Sequence, residues 1–200
     1  MTQSAIHRVG VIGAGQMGGG IAEVCARAGV DVTVFETSEA LIDAGRARLT
    51  KSLDRGVSAG RITEVERDGA IGKLRFTTSL TDLADRQLVI EAVIEDEAIK
   101  ASIFSQLDQI VTDPGAVLAS NTSSIPIMKL AAATGDPGRV LGLHFFNPVP
   151  VLPLVELVTT LVTDEAAAAR TEQFAATVLG KQVVRCGDRS GFVVNALLVP

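Results

Sequence analysis

A glycine-rich turn between a predicted strand and a predicted helix constrains this sequence most. Gly13-Ala-Gly-Gln-Met-Gly18 follows the apolar run at residues 9–12 and leads into a segment of helical period from Gln16. In that setting the first glycine permits a tight turn, Gly15 lets the backbone approach a pyrophosphate, and the third lets helix and strand pack closely. The free N–H groups at the helix start then face the phosphate. The segment therefore predicts a dinucleotide-binding turn, and an ordinary glycine-rich turn is the alternative.

An acidic residue stands at the end of the next predicted strand. Glu36 lies 23 residues after Gly13, close to the spacing at which a carboxylate accepts hydrogen bonds from an adenosine ribose. A helix-start carboxylate near Ser38 is the alternative. If Glu36 holds the ribose, its charge repels a 2′-phosphate, so NAD is predicted over NADP. The residues predicted to bind NAD from this end of the chain are Gly13, Gly15, Gln16, Met17, Gly18 and Glu36.

The rest of the chain alternates apolar, β-rich runs with longer segments of helical period. This pattern is typical of a parallel sheet covered by helices on both faces. We therefore predict an α/β fold with a Rossmann-like, doubly wound, mostly parallel sheet. Strands are predicted at residues 8–13, 32–36, 74–77, 88–93, 116–120, 140–145, 154–158 and 183–186. Helices are predicted at residues 16–28, 38–57, 63–72, 96–111, 125–133 and 164–179.

The last residues predict a second unit. From Gly191 to Pro200 the sequence opens a strongly apolar helix without a polar or glycine stop, and such a helix needs a partner to cover it. We predict an NAD-binding, Rossmann-like domain at residues 1–187. Residues 188–200 are predicted to start a helical domain for dimerisation and substrate binding, with its remainder absent.

Composition excludes several classes of function. The net charge is −5, and the chain has no Trp or Tyr on which bases stack, so we expect no nucleic-acid partner. No apolar run approaches the roughly 20 residues needed to cross a bilayer, and residues 1–8 lack the apolar stretch of a secretory signal. A cytoplasmic protein without a membrane partner is expected. Cys25 and Cys186 stand in apolar segments without metal-ligand spacing, so we expect core thiols and no metal site.

Two histidines are candidates for a general base. His7 precedes the first strand, whereas His144 ends an apolar strand. Glu156 is a carboxylate within the next apolar run, where a charge needs a partner. The two residues are symmetric about Pro150, so a hairpin-like return would bring their side chains onto neighbouring strands. The sequence predicts a dyad in which Glu156 orients His144, and a buried structural ion pair is the alternative.

Small polar residues mark two further positions. Ser120-Asn-Thr-Ser-Ser-Ile-Pro126 leaves the fifth predicted strand, at the edge where a doubly wound sheet presents ligand contacts. Helix capping by these serines is the alternative. Asn195 stands among apolar residues, where its amide needs a polar partner that is either catalytic or structural.

Six motifs occur in order over nearly the whole chain. They are Val-Ile-Gly-Ala-Gly-x-Met-Gly, Glu91-Ala-Val, Ser120-Asn-Thr-Ser-Ser, His144-Phe-Phe-Asn-Pro-Val-Pro, Leu154-Val-Glu156 and Gly191-Phe-Val-Val-Asn195-x-Leu-Leu-Val-Pro. Together they resemble the L-3-hydroxyacyl-CoA dehydrogenase family, in particular its short-chain type. The resemblance implies a Rossmann-like domain followed by a helical domain that forms a homodimer. It also implies NAD-dependent oxidation of the 3-hydroxyl of an acyl-CoA thioester, with 3-hydroxybutyryl-CoA expected, in fatty-acid or butanoate metabolism.

The resemblance also implies roles for individual residues. The implied catalytic residues are Ser123, His144, Glu156 and Asn195, with His144 as the base. Further implied cofactor contacts are Glu95, Lys100, Asn121, Ser123 and Asn147. The implied contacts to substrate and CoA are Ser52, Ser123 and Asn195.

The chain departs from the family pattern in two places. The lysine usually found shortly after Ser52 is missing, since Ala59 occupies that region, and Arg55 or Arg61 is the candidate substitute. Ala196 stands where relatives often carry Arg. Two other functions stay open at this point. One is an NAD-dependent dehydrogenase of a free hydroxy or sugar acid, and the other is a non-catalytic dinucleotide-binding protein.

Overall fold

The computed structural model describes residues 5–189, 191 and 192 of the chain. Its strands are β1 Arg8–Ile12, β2 Asp31–Phe35, β3 Leu74–Thr77, β4 Leu88–Glu91, β5 Val117–Ser120, β6 Val140–Phe145, β7 Leu154–Thr159 and β8 Gln182–Gly187. Its α-helices are α1 Gln16–Arg27, α2 Glu39–Ser58, α3 Glu64–Gly72, α4 Glu97–Ile110, α5 Ile127–Ala131 and α6 Glu165–Gln173. Short 3₁₀ helices cover Leu80–Leu83 and Pro137–Arg139, and a π-helical turn covers Phe174–Val178.

The strands form one sheet in the order β3-β2-β1-β4-β5-β6-β7-β8. Neighbouring strands are parallel except β6 and β7, which are antiparallel. The chain leaves β1 towards one edge and returns at β4 to run towards the other. The strand order therefore reverses between β1 and β4, and ligands bind outside the carboxyl ends of strands at such a switch point. The predicted doubly wound, mostly parallel sheet is confirmed.

Helices cover both faces of the sheet, because the central strands are apolar on both sides. In β4, Leu88 and Ile90 belong to one core cluster and Val89 to the other. All four residues of β4 and all four of β5 are buried. Continuous apolar runs of this kind are typical of parallel strands buried on both faces. The predicted strands and helices are all found, but the last predicted helix changes to a π turn at Phe174.

Side chains from the residues just before them or in their first turn close the starts of α2, α3 and α4, whereas the start of α1 is open. Ser38 accepts the N–H of Leu41 at the start of α2, and Asp96 accepts that of Ile99 at the start of α4. Thr63 begins α3 with a capping box. The cap position of α1 is Gly15, which has no side chain, and the first turn of α1 contains no acidic residue. The N-terminal N–H groups of α1 are therefore suited to an anion.

The two cysteines differ in burial. Cys25 is fully buried in α1, and burial raises the pKa of its thiol to about 12. Cys186 is partly buried on β8, and burial, together with the nearby charges of Glu156 and Asp188, raises its pKa to about 11. Both thiols therefore stay protonated at neutral pH and are poor nucleophiles.

Residues 5–189, 191 and 192 can be compared with the requirements of a membrane span and of a metal site. None of the helices described there is long and apolar enough to cross a membrane. In that same part of the chain no three His, Cys, Asp or Glu side chains are grouped so that they could hold a metal ion. The predicted domain boundary at residue 187 coincides with the end of β8. The predicted second domain stays a prediction, because residues 193–200 lie outside the described part.

Candidate active site

A crevice of about 1430 Å³ opens at the carboxyl edge of the sheet, beside the switch point between β1 and β4. It is bounded by the glycine turn, by the segments that follow β2, β4, β5 and β6, and by the first turns of α4. Most of the predicted site residues meet here. Those that line the crevice are Gly13, Gly15, Gln16, Met17, Glu36, Glu95, Lys100, Asn121, Ser123, His144 and Asn147.

The three positions of the turn require glycine for different structural reasons. Gly13 has φ +95°, and a Cβ there would lie 2.8 Å from the carbonyl oxygen of Ala92. A Cβ on Gly18 would lie 1.8 Å from the carbonyl oxygen of Gly13. A Cβ on Gly15 would meet no atom within 4 Å. The protein itself therefore requires Gly13 and Gly18, whereas Gly15 keeps open a space at the start of α1 that fits a pyrophosphate.

Glu36 connects the end of β2 to the glycine turn. Its Oε1 accepts the N–H of Ala14 at 2.6 Å, and its Oε2 accepts the N–H of Thr37 at 3.2 Å. The side chain of Arg48 on α2 donates to the carbonyl oxygen of Ala14 at 2.7 Å. Arg48 could not be predicted from the sequence, because its contact depends on how α2 packs against the turn. Glu36 is partly exposed at the crevice, so its remaining lone pairs can accept ribose hydroxyls.

His144 and Glu156 face each other across the antiparallel strands β6 and β7. They are direct register partners, and Nδ1 of His144 lies 2.7 Å from Oε2 of Glu156. Glu156 is fully buried, and His144 is 7% exposed at the crevice. With Nδ1 donating to the carboxylate, Nε2 is the nitrogen that can accept a proton. The predicted pairing of the two side chains is confirmed, and its catalytic role is a proposal taken up below.

Aromatic rings flank the imidazole. The ring centroid of Phe146 lies 4.6 Å from that of His144, and the centroid of Phe192 lies 5.8 Å from it. Phe192 has φ +49° in the turn that follows Gly191, an uncommon backbone conformation for a bulky residue. These rings restrict the imidazole and remove it from bulk water.

A charged network lies at the carboxyl end of β4. Lys100 is 1% exposed, and its Nζ lies 2.6 Å from Oε1 of Glu91 and 3.4 Å from Oε2 of Glu95. Glu91 is fully buried and also accepts hydrogen bonds from Val93 N–H and the Ser120 hydroxyl. Lys100 is therefore a buried, paired ammonium group and not a solvated surface charge. Glu91 was not predicted as the partner of Lys100, although a carboxylate within an apolar strand is the same signal that identified Glu156.

Glu95 organises the loop after β5. Its Oε1 accepts the hydroxyl of Thr122, the N–H of Ser123 and both the N–H and the hydroxyl of Ser124. Desolvation by burial raises the pKa of Glu95, but the hydrogen bond from Thr122, the charge of Lys100 and the remaining bonds outweigh it and hold that pKa below its ordinary value. Glu95 is therefore ionised at neutral pH.

The loop residues 120–126 do not cap the helix that follows them. The residue before α5 is Pro126, which makes no side-chain cap. Asp188, from the segment after β8, instead accepts the N–H groups of Ile127 and Met128 at 2.8 Å each. The capping role considered for the serines is therefore wrong. Asn121 accepts the N–H of Phe145 at 2.8 Å, which links β5 to β6 beside the crevice.

Ser52, Asn147 and Asn195 complete the predicted site residues. Ser52 does not line the crevice; it lies on α2, where its hydroxyl lowers the pKa of Glu23. Asn147 is exposed at the crevice mouth after β6. Asn195 lies outside the described residues, so its predicted role stays a prediction.

The phosphate-binding turn and the His144–Glu156 pair open onto one crevice, and this combination defines the dinucleotide-binding domain of a dehydrogenase. The open space at Gly15, the uncapped start of α1 and the carboxylate of Glu36 fit NAD. A family model confirms this class. The chain belongs to the 3-hydroxyacyl-CoA dehydrogenase family, whose NAD binding domain matches residues 8–189.

Individual relatives are similar over almost the whole chain. A 3-hydroxybutyryl-CoA dehydrogenase of Mycobacterium tuberculosis is 80% identical over 98% of this chain and 68% of that protein. The crystal structure of M. tuberculosis FadB2 superposes with a TM-score of 0.97 at 79% identity, covering 98% of this chain and 69% of that one. The (S)-3-hydroxybutyryl-CoA dehydrogenase PaaH1 from Ralstonia eutropha gives a TM-score of 0.93 at 42% identity, covering 97% and 68%.

Proposed function

We propose that this protein oxidises the 3-hydroxyl of a (S)-3-hydroxyacyl-CoA, with 3-hydroxybutyryl-CoA as the substrate, reversibly and with NAD. The observation that carries the proposal is the 2.7 Å contact between His144 and Glu156 at the crevice that the glycine turn also lines. Similarity to relatives named 3-hydroxybutyryl-CoA dehydrogenase supports the substrate class.

His144 acts as the general base in this proposal. Its Nε2 accepts the proton of the 3-hydroxyl, while the C3–H bond breaks and leaves its electron pair with the departing hydride. NAD, when bound, supplies the acceptor for that hydride. Glu156 holds the imidazole by Nδ1 and stabilises the positive charge that the ring gains. Positioning of this kind contributes much of the rate, because displacing a reacting group by about 1 Å can lower the rate about 100-fold.

The other site roles follow the same proposal. Ser123 and Asn195 hold the substrate oxygens and the imidazole in place, and Ser123 lies where the Glu95-bound loop meets the crevice. Glu95, Lys100, Asn121 and Asn147 form the nicotinamide side of the cofactor site. Ser52 contacts the CoA nucleotide. The buried position of Lys100 favours an electrostatic contribution over a flexible surface contact.

The domain organisation and location belong to the proposal as well. We propose that residues 1–187 form the NAD-binding domain and that residues 188–200 start a helical domain. That domain covers the open side of the substrate cleft and carries the contacts of a homodimer. The protein works in the cytoplasm, with an acyl-CoA thioester as its partner and no nucleic-acid or membrane partner.

The test compares two substrates that share one reacting ketone. NADH oxidation by the intact protein is followed with acetoacetyl-CoA and with free acetoacetate. We expect turnover of the thioester at least about 100-fold more efficient than that of the acid, because the CoA moiety contributes binding energy that the acid lacks. Equal efficiency, or preference for the acid, would overturn the substrate class and favour a hydroxy-acid or sugar-acid dehydrogenase. Binding of NADH without turnover of either compound would favour a non-catalytic protein.

A further inference from the structure

Two carboxylates share one ammonium group at the carboxyl end of β4. Lys100 Nζ lies 2.6 Å from Glu91 Oε1 and 3.4 Å from Glu95 Oε2. The side chains of Glu91 and Lys100 are 0% and 1% exposed, whereas that of Glu95 is 39% exposed. We call these three residues the acidic triad. With one positive and two negative groups, the acidic triad carries one negative charge in excess.

Hydrogen bonds fix where that excess charge lies. Both oxygens of Glu91 are occupied, Oε1 by Lys100 and the N–H of Val93, and Oε2 by the hydroxyl of Ser120. Glu91 therefore cannot turn towards the crevice, and its charge faces Lys100. Glu95 is held by Thr122 and by the N–H of Ser123, and it lines the crevice. The excess negative charge is thus presented to the ligand through Glu95.

The acidic triad lies at the reactive end of the crevice. Glu36, at the end of β2, marks the adenosine end on one side of β1. On the other side of β1, the acidic triad lies at the carboxyl end of β4 and Ser123 lies after β5. His144 lies one strand further along the sheet, on β6. A base must lie beside the carbon that loses hydride, so the redox-active ring of the dinucleotide belongs at the same end.

We propose that the acidic triad favours the oxidised cofactor over the reduced one, and that Glu91 is a positioning residue that acts through Lys100. The nicotinamide ring is cationic when oxidised and neutral when reduced, so a fixed negative charge near the ring stabilises only the oxidised form. This inference rests on the proposed function, because it requires NAD in the crevice.

The test measures binding of both cofactor forms without substrate, using the intact protein. Glu95→Gln removes the charge and keeps an oxygen that accepts from Thr122 and Ser123. We expect the ratio Kd(NAD⁺)/Kd(NADH) to rise on the order of tenfold, because the variant loses one unit of negative charge that attracts only the cationic ring. Glu91→Gln leaves Lys100 to neutralise Glu95, so the ratio rises in the same direction.

Glu97→Gln is the matched control. Glu97 lies in the first turn of the same helix, its side chain is 49% exposed, and it pairs with Lys129. The substitution changes the net charge equally but at a solvated position, so we expect the ratio to stay within about twofold of the native value.

The outcomes separate the inference from the function on which it rests. Equal weakening of NAD⁺ and NADH by Glu95→Gln would show a purely structural role and overturn the inference, as would a shift of the same size in Glu97→Gln. Thermal melts check that the variants fold, and if Glu91→Gln does not fold, Glu95→Gln decides alone. A shifted ratio in a protein that does not turn over acetoacetyl-CoA would overturn only the proposed substrate.

Discussion

The Glu36 carboxylate accepts the backbone N–H of Ala14 at 2.6 Å, so the residue predicted to hold the ribose also fixes the phosphate-binding turn. Each oxygen of this side chain accepts one backbone N–H, from Ala14 and from Thr37, and the carboxylate lines the crevice. Two functions of Glu36 can therefore be separated by substitution, because the hydrogen bond needs an acceptor whereas rejection of a 2′-phosphate needs a charge.

Glu36→Gln keeps an acceptor for Ala14 and removes the charge. We expect the preference for NAD over NADP to fall by about tenfold or more, since the repulsion of a 2′-phosphate is lost and Arg48 lies nearby, bonded to the carbonyl oxygen of Ala14. Titration of the variant with both cofactors measures this. Glu36→Ala should also lower the melting temperature, and an unchanged preference in both variants would place the ribose elsewhere.

Substitutions in the glycine turn should divide into two classes. Gly18→Ala places a Cβ 1.8 Å from a backbone oxygen, so the turn must move and the free energy of unfolding should fall by several kcal/mol. Gly15→Ala meets no protein atom within 4 Å, so the fold should persist while NAD affinity falls at least about tenfold. Gly19→Ala, whose Cβ would lie 3.7 Å from its nearest contact, is the control for adding a methyl group to α1. Normal NAD binding by Gly15→Ala would contradict the assigned pyrophosphate position.

The base and its carboxylate partner should affect turnover far more than cofactor binding. His144→Gln removes the proton acceptor, and Glu156→Gln keeps a hydrogen-bonding group but removes the charge that stabilises the imidazolium. We expect kcat to fall by about 10²- to 10⁴-fold in each, with the Kd of NADH within a few-fold of native. His7→Gln alters the exposed histidine before β1 and serves as the control. Native turnover in His144→Gln would rule out this base.

The sequence predicted the sheet and the His144–Glu156 pair for the same reason, since both depend on local patterns. Apolar runs locate strands, and the prolines between positions 144 and 156 make a short return in which opposite residues can be counted. The contact of Glu91 with Ser120 joins parallel strands that are neighbours through the sheet order, which no local pattern encodes. Asp188 reaches α5 from a segment about 60 residues further along the chain, so the helix start at Ile127 could not be matched to its cap from sequence.

Glu23 predicts how stability depends on pH. It is 2% exposed between α1 and α2, and Oε2 has no hydrogen-bond partner among the described residues. Burial raises its pKa above the ordinary value of 4.5, and the hydrogen bond from Ser52 and the charges of Arg27 and Arg55 offset this only in part. Between 4.5 and the raised value the folded state therefore holds a proton that the unfolded chain has released, so the free energy of unfolding falls as pH rises through this window.

Glu23→Gln removes this titration while keeping the shape of the side chain. The quantity of interest is the free energy of unfolding of the variant minus that of the native protein. We expect this difference to have its lowest value below about pH 4 and to increase towards pH 7, because only the native protein loses stability when the buried carboxyl must ionise. Urea denaturation at several pH values measures the difference. Asp43→Asn, at an exposed position on α2, is the control for the removal of one carboxylate charge. If the Glu23→Gln difference were flat, or became more negative with pH, the carboxyl would be better stabilised as an ion than its burial implies, and the charges of Arg27 and Arg55 would outweigh desolvation.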